Sequence, residues 1–368
     1  MSPFIRPLVR ATRALGAPLV IAGALAAQSS WIVDQSGAGH FTTLAQAYAA
    51  ASPGDLVVVR SGYYYGAAVA SVGVTVLCDA SVQFDVSFAE FGVRDLPAGQ
   101  TFAMRGGQVA RMPHFPSDFV VDRCAGAVHF DRVDASSIAI TGASTIRDVA
   151  HVTLQRCEFA DLSVERATIA LADCRITGQS GPALRAASTS LSISGGIVHG
   201  RLGTAALELA GGCTVDLAGP AMIDGSPAVL GTSTDHLRHA ASVQFRAPSP
   251  PVIRTTGSVT PLGLPAVSSD SDRANGVLSI VVSAEPGSLT AVFADTPVAP
   301  ILRWPLGSLW VRPTAPVVDL RLVLANGAYT LTVSVPRVPP AARITLQPIS
   351  ILAGRGLALG APATLVFP

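Results

Sequence analysis

Two runs, VTLQRCEF at 152–159 and IALADCRI at 169–176, carry apolar residues in the same order 17 positions apart. Val152 falls over Ile169, Leu154 over Leu171, Cys157 over Cys174 and Phe159 over Ile176. VHFDRVDA from Val128 repeats the pattern 24 residues earlier, and LSISGGIV from Leu191 repeats it 22 residues later with Ile193 and Val198. Val215, Leu217 and Met222 continue it, 24 residues beyond Leu191, Ile193 and Val198. Matched apolar positions with spacers of unequal length are the mark of a solenoid whose coils stack and whose loops differ. The inward columns of such a stack are its core.

The stretch GHFTTLAQAYAAASPGDLVVVRSGYYYG, residues 39–66, sets one small helix before this array. Thr43 followed by Gln46 is a capping-box pattern, and Leu44, Ala47, Tyr48 and Ala51 share a helical face. Pro53 and Gly54 stop the helix, the solid run Leu56 to Val59 reads as a strand buried on both sides, and Gly62 turns it. The segment from Ile32 to Gly66 resembles the N-terminal segment of pectinesterases and other members of the pectin-lyase-like superfamily. The resemblance implies a right-handed parallel β-helix whose open end is covered by a short helix. Physically, the first coil of a solenoid exposes an apolar cross-section and unpaired strand edges, which a cap must cover.

Composition agrees with many short buried strands. Of 368 residues, 49% are hydrophobic and only 13% charged, and 34 Gly and 27 Pro supply turns. So apolar a chain is not disordered. A formal charge of +1 provides no electrostatic footprint for nucleic acid, and that class of partner is excluded. Residues 1–27 read as a signal peptide: Arg6, Arg10 and Arg13 precede a short apolar core, and Ala24-Leu25-Ala26 offers a cleavage site. The mature chain is then expected to be secreted or held at the cell surface, without a membrane span, and monomeric.

The β-helix is expected over 28–245, a proline-rich linker over 246–265, and a small C-terminal β-sandwich over 266–368. Strand-like runs at 277–282, 289–293, 317–324 and 329–335 are divided by turn signals such as Asn275-Gly276 and Asn326-Gly327. This ending looks like the C-terminal β-sandwich modules of exported bacterial proteins. The fold class is therefore all-β.

The resemblance does not bring a catalytic set with it. Pectinesterases carry their aspartates, arginine and glutamines within motifs of the type G-x-x-D-F-x-F-G and L-G-R-P-W, and neither is present. Asp118-Phe119 shares two letters, WPLG at Trp304 lies in the second unit, and Gly39-His40-Phe41 replaces the family's Gly-Asp-Phe. No G-x-S-x-G nucleophile motif occurs. DHLRH at 235–239 lacks a third metal ligand nearby and reads as an exposed loop, and DSDRANG at 270–276 departs from a calcium loop and reads as a turn. No metal or cofactor is implied.

Five cysteines, Cys78, Cys124, Cys157, Cys174 and Cys213, are odd in number for an exported chain. Cys157 and Cys174 share one inward column and read as stacked buried thiols, although neighbouring rungs are close enough for a disulfide. In the outward columns, Arg132, Arg156 and Asp173 form one stack and Asp134, Glu158 and Arg175 another. Interleaved arginines and carboxylates make either a solvated salt-bridge ladder or a face that binds sugar hydroxyls and uronic carboxylates. Tyr64 is expected inside and Tyr63 and Tyr65 outside, where their rings could meet a sugar. The sequence points to a non-catalytic exported or cell-surface β-helix scaffold, with an acidic polysaccharide or cell-envelope glycan as its candidate partner. The alternative is a carbohydrate-active enzyme, pectinesterase- or polysaccharide-lyase-like, with diverged catalytic residues.

Overall fold

The computed structural model describes residues 29–366 apart from 67, 88, 111–117, 138–143, 249, 262–263, 273–276, 297–300, 304–306, 312–313, 324–326, 335–341, 353–355 and 361. The leader, the Asn275-Gly276 turn and Trp304 lie outside these residues.

Parallel strands stack into a three-faced, right-handed parallel β-helix. Sheet I runs from Ser30–Val33 through Leu56–Val59, Thr75–Cys78 and Thr101–Arg105 towards His236–His239 and Ser258–Pro261. Sheet II starts at Ala68–Ala70 and Glu90–Arg94, and sheet III runs from Gly62–Tyr65 to Gln244–Arg246. Three long strands, Asp118–Asp131, Ser144–Gln155 and Leu162–Ala172, bend from sheet II into sheet I.

The register follows the sequence repeat over most of its length. Val128, Val152, Ile169, Leu191 and Val215 form one inward column, and Phe130, Leu154, Leu171, Ile193 and Leu217 the next. Phe84, Phe91, Phe119 and Phe159 stack through the interior with ring centroids 5.0–6.3 Å apart. One correction falls at the far end: Met222 pairs with Ile197, and Ile223 takes the place opposite Val198. Ala218-Gly219-Pro220-Ala221 holds one residue more than the corresponding Ser194-Gly195-Gly196 turn, so the strand shifts by one and Met222 faces outward while Ile223 is buried.

The cap forms as its sequence dictates. The helix spans Leu44–Ala50, with Thr43 and Gln46 completing the reciprocal capping box, and it buries Leu44, Ala47 and Tyr48. The Tyr48 ring meets the Phe102 ring edge-on at 6.2 Å. Asp55 anchors the cap by accepting from the Ser29 amide (3.0 Å), the Trp31 indole (2.9 Å) and the Ser52 amide (2.9 Å). Burial alone would push this carboxyl up, but the three donors outweigh it and hold Asp55 below the ordinary range.

The proline-rich stretch expected as a linker carries the last strands of the solenoid. Ile253–Arg254 pairs with Val229–Leu230, and Ser258–Pro261 pairs with His236–His239. Proline is tolerated there because the final coil is an edge, where an absent N–H breaks no ladder bond. DHLRH is likewise a strand with its preceding turn, not an exposed loop. Asp235 is buried and accepts from the Gly212, Cys213 and Thr232 amides, while His236–His239 sits between two neighbours of sheet I.

Antiparallel sheets follow. Ala266–Asp272, Val277–Ser283 and Ala328–Ser334 form one, and Leu289–Asp295, Val317–Leu322, Arg343–Leu352, Gly356–Leu359 and Ala363–Val366 the other. Val267, Ile280, Val282, Val292, Ile344, Leu346 and Leu365 are buried between them together with Ala172 of the solenoid. The sandwich therefore lies against the outer side of sheet I, where His129, Asp131, Thr153, Gln155, Ser192 and Ser194 are all buried. Among the described residues, no helix is long and apolar enough to cross a membrane.

Candidate functional site

Parallel in-register stacking makes a line of side chains out of one residue per coil, with a rise of about 4.8 Å. On the outer side of sheet III one such line runs Tyr63, Gln83, Gln108, Asp134, Glu158, Arg175. The expected stack of Asp134, Glu158 and Arg175 is thus present, and it is the continuation of a column that begins at Tyr63. Gln83 donates through Nε2 to Gln108 Oε1 at 2.9 Å, and Gln108 donates to Asp134 Oδ2 at 3.3 Å. Asp134 Oδ1 accepts from the Ser136 amide (2.9 Å) and hydroxyl (2.7 Å), which fixes the turn behind it. Glu158 and Arg175 are exposed.

The tyrosines divide as the alternation requires. Tyr64 is buried and its hydroxyl donates to the Arg60 and Val33 carbonyls at 2.7 and 3.2 Å. Tyr63 and Tyr65 face outward with ring centroids 4.8 Å apart, and Tyr65 is 63% exposed. The Tyr63 hydroxyl donates to Asp85 at 2.8 Å, which pushes its pKa up to about 12. A second outward line on this sheet, Thr177, His199, Asp224, Arg246, follows two residues on in register, with His199 Nδ1 3.1 Å from Asp224. Gln83, Gln108 and this second line were not singled out from the sequence. Their signal is the same-offset position in each coil, visible once the short third strand of every coil is aligned.

Arg132, Arg156 and Asp173 stack as expected, but at a corner and not on a sheet. All three have left-handed backbone, φ 58°, 52° and 52°, at the position that Gly106, Gly195 and Gly219 fill in other coils. Arg132 is exposed, whereas Arg156 turns back over sheet I to pair with Asp131 at 2.8 Å. Burial pushes the Asp131 carboxyl up in spite of Arg156 and Arg105.

The salt-bridge ladder of this protein lies on sheet II. Arg94, Asp122, Arg147 and Glu165 form one outward column. Asp95, Arg123, Asp148 and Arg166 form the adjoining left-handed corner, φ 47–55°. Arg123 grips Asp95 with two bonds of 2.7 and 3.0 Å, Arg166 grips Asp148 at 2.6 and 2.9 Å, and Arg147 holds buried Asp122 at 3.1 and 3.3 Å. The Arg123 and Arg166 guanidiniums keep Asp95 and Asp148 below the usual carboxylate range. A shallow pocket of about 170 Å³ between Arg94, Asp118, Phe119, Asp122 and Arg147 opens within this ladder. The signal was in the sequence as Arg-Asp, Asp-Arg, Arg-Asp and Glu-Arg in successive coils, each inverting the last. The chain has no lysine, so its permanently charged cations are arginines, whose planar fork suits two-bond pairing with carboxylates.

No family model matches the chain, and no curated protein matches it in sequence. Among solved structures, it is similar to the enzymatically active domain of bacteriophage CBA120 tailspike protein 4, with 10% identity and a TM-score of 0.33. That alignment covers 85% of this chain and 64% of the tailspike domain, so the chain spans less than two thirds of that structure.

Among the described residues, no group of three or more His, Cys, Asp or Glu side chains is placed to hold a metal ion.

Proposed function

We propose that this is an exported or cell-surface β-helix scaffold, of the pectin-lyase-like kind, whose third sheet binds an acidic polysaccharide without cleaving it. The observation that carries the reading is the continuous outward column from Tyr63 to Arg175. The middle coils of sheet I are covered by the sandwich, and the charges of sheet II grip one another. Sheet III offers exposed rings at one end, two amides, two carboxylates and an arginine, spaced evenly along the solenoid axis. The amides donate to and accept from sugar hydroxyls, the carboxylates accept from them, and Arg175 and Arg132 attract uronic carboxylates. The non-catalytic part of the reading is supported by Asp134, whose two oxygens are engaged by Ser136 and Gln108.

The test is to incubate purified protein with pectin, polygalacturonate and alginate while following binding, methanol release and unsaturated products. Binding without product is expected. Catalytic release of either product moves the protein to the carbohydrate-active reading.

A further inference from the structure

The interface between sheet I and the sandwich contains a layer of buried ionisable groups that the glycan face does not use. His129 and His151 project from adjacent coils of sheet I and are 2% and 7% exposed. His129 Nδ1 shares a hydrogen bond with the Thr153 hydroxyl, while His129 Nε2 and His151 Nδ1 have no hydrogen-bond partner among the described residues. From the sandwich side comes Arg343, the first residue of Arg343–Leu352, whose Nη1 is buried and has no hydrogen-bond partner among the described residues. The edge strand Ala363–Val366 lies over the same coils, and its Val366 carbonyl accepts from Arg105. Arg105 and Arg156 share the carboxylate of Asp131. The charged groups on the elements packed here are Arg105, Arg156 and Asp131 from the solenoid and Arg343 and Asp295 from the sandwich, and the charge set against His129 is that of Arg343.

We propose that this layer is an acid-sensitive latch: neutral His129 and His151 let the sandwich dock on sheet I, and their protonation opposite Arg343 releases the edge strand Ala363–Val366. Among the described residues no carboxylate is hydrogen-bonded to either imidazole, and Asp131 is already shared by two guanidiniums. Burial drives both imidazoles below their ordinary value, and the Arg343 charge adds to the effect at His129. A depressed histidine contributes stability that is whole above the unfolded value of about 6.5 and is lost as pH falls below it. Docking is therefore secure at neutral pH and weakens in the mildly acidic range. The remaining polar neighbours, Thr153, Gln155, Thr345 and Thr364, do not titrate.

Hydrogen exchange of the full chain at about pH 7.5 and about pH 5, corrected for intrinsic rates, tests the latch. Peptides covering 343–352 and 363–366 should lose at least tenfold of their protection in acid, while the sheet I strands 127–131 and 151–155 keep their ladder bonds to neighbouring coils and with them their protection. Peptides covering 62–65 and 82–85 of sheet III should keep theirs. His129→Gln with His151→Gln should remove the pH dependence, and Arg343→Met should move release to lower pH. If the double variant does not fold, the parent and Arg343→Met decide the matter. Unchanged protection of 363–366 in acid, or loss of solenoid and sandwich protection together, overturns the proposal.

Discussion

Arg156 of one coil closes on Asp131 of the coil before it, Nη2 to Oδ1 at 2.8 Å, in the layer that the sandwich buries. Arg105 approaches the other oxygen of the same carboxylate at 3.7 Å. One anion thus holds two guanidiniums away from water. Asp131→Ala leaves both without it, and breaking a buried pair from one side costs about 3–5 kcal/mol. Denaturant unfolding should report a loss of that size; a loss below about 1 kcal/mol would show the layer to be wetter than its burial implies.

The N-terminal cap gives a pH prediction of its own. Asp55 is held below its ordinary value, so its contribution is complete above about pH 4 and is lost as pH falls through the folded value. Asp55→Ala should cost about 1–3 kcal/mol at neutral pH, since three donors lose their acceptor. It should also flatten the parent's loss of stability below about pH 4. Thermal unfolding across that range checks both. Removing residues 31–55 altogether should expose the first coil and cause aggregation, and a soluble, cooperatively unfolding truncation would contradict the capping role.

Cys157 and Cys174 stack in one inward column, and each thiol donates to backbone carbonyls, Cys157 to Phe130 and Gln155 and Cys174 to Leu154 and Ala172. All five cysteines are free, and burial pushes the Cys157 thiol well up. Both residues should resist alkylation while the protein is folded and react fully in denaturant. Mass spectrometry recovering a peptide pair linked through them is the contrary result.

Sequence periodicity was enough to place the cap, the inward columns and the stack of Asp134, Glu158 and Arg175, because each rests on local chemistry or on a repeat of matched apolar residues. Met222 slipped by one because a single extra residue in a turn changes which side chain faces inward. Residues 246–265 misread because proline density marks an edge coil as readily as a linker. The fate of Arg156 was illegible for a different reason. Alternation says that a side chain leaves the core, and says nothing about a second unit, over 100 residues further on, that covers the place where it emerges.

Tyr65 supplies the most exposed ring of the proposed glycan face. Tyr65→Ala should weaken polysaccharide binding at least about fivefold, the loss expected of an aromatic anchor worth about 1 kcal/mol or more, and leave the melting temperature unchanged. Tyr63→Phe separates the ring from its bond to Asp85 and should bind more tightly than Tyr63→Ala. Equal binding by all of these variants would move the contact elsewhere on the solenoid.

Titration calorimetry with polygalacturonate at low salt measures the central claim most directly, using the parent and Arg132→Ala with Arg175→Ala. Arg156 is left intact because it serves the buried layer. The account predicts saturable binding by the parent that fades as salt shortens the screening length to about 8 Å, and loss of binding in the variant at unchanged stability. A flat titration of the parent at low salt, or full binding by the variant, would contradict it.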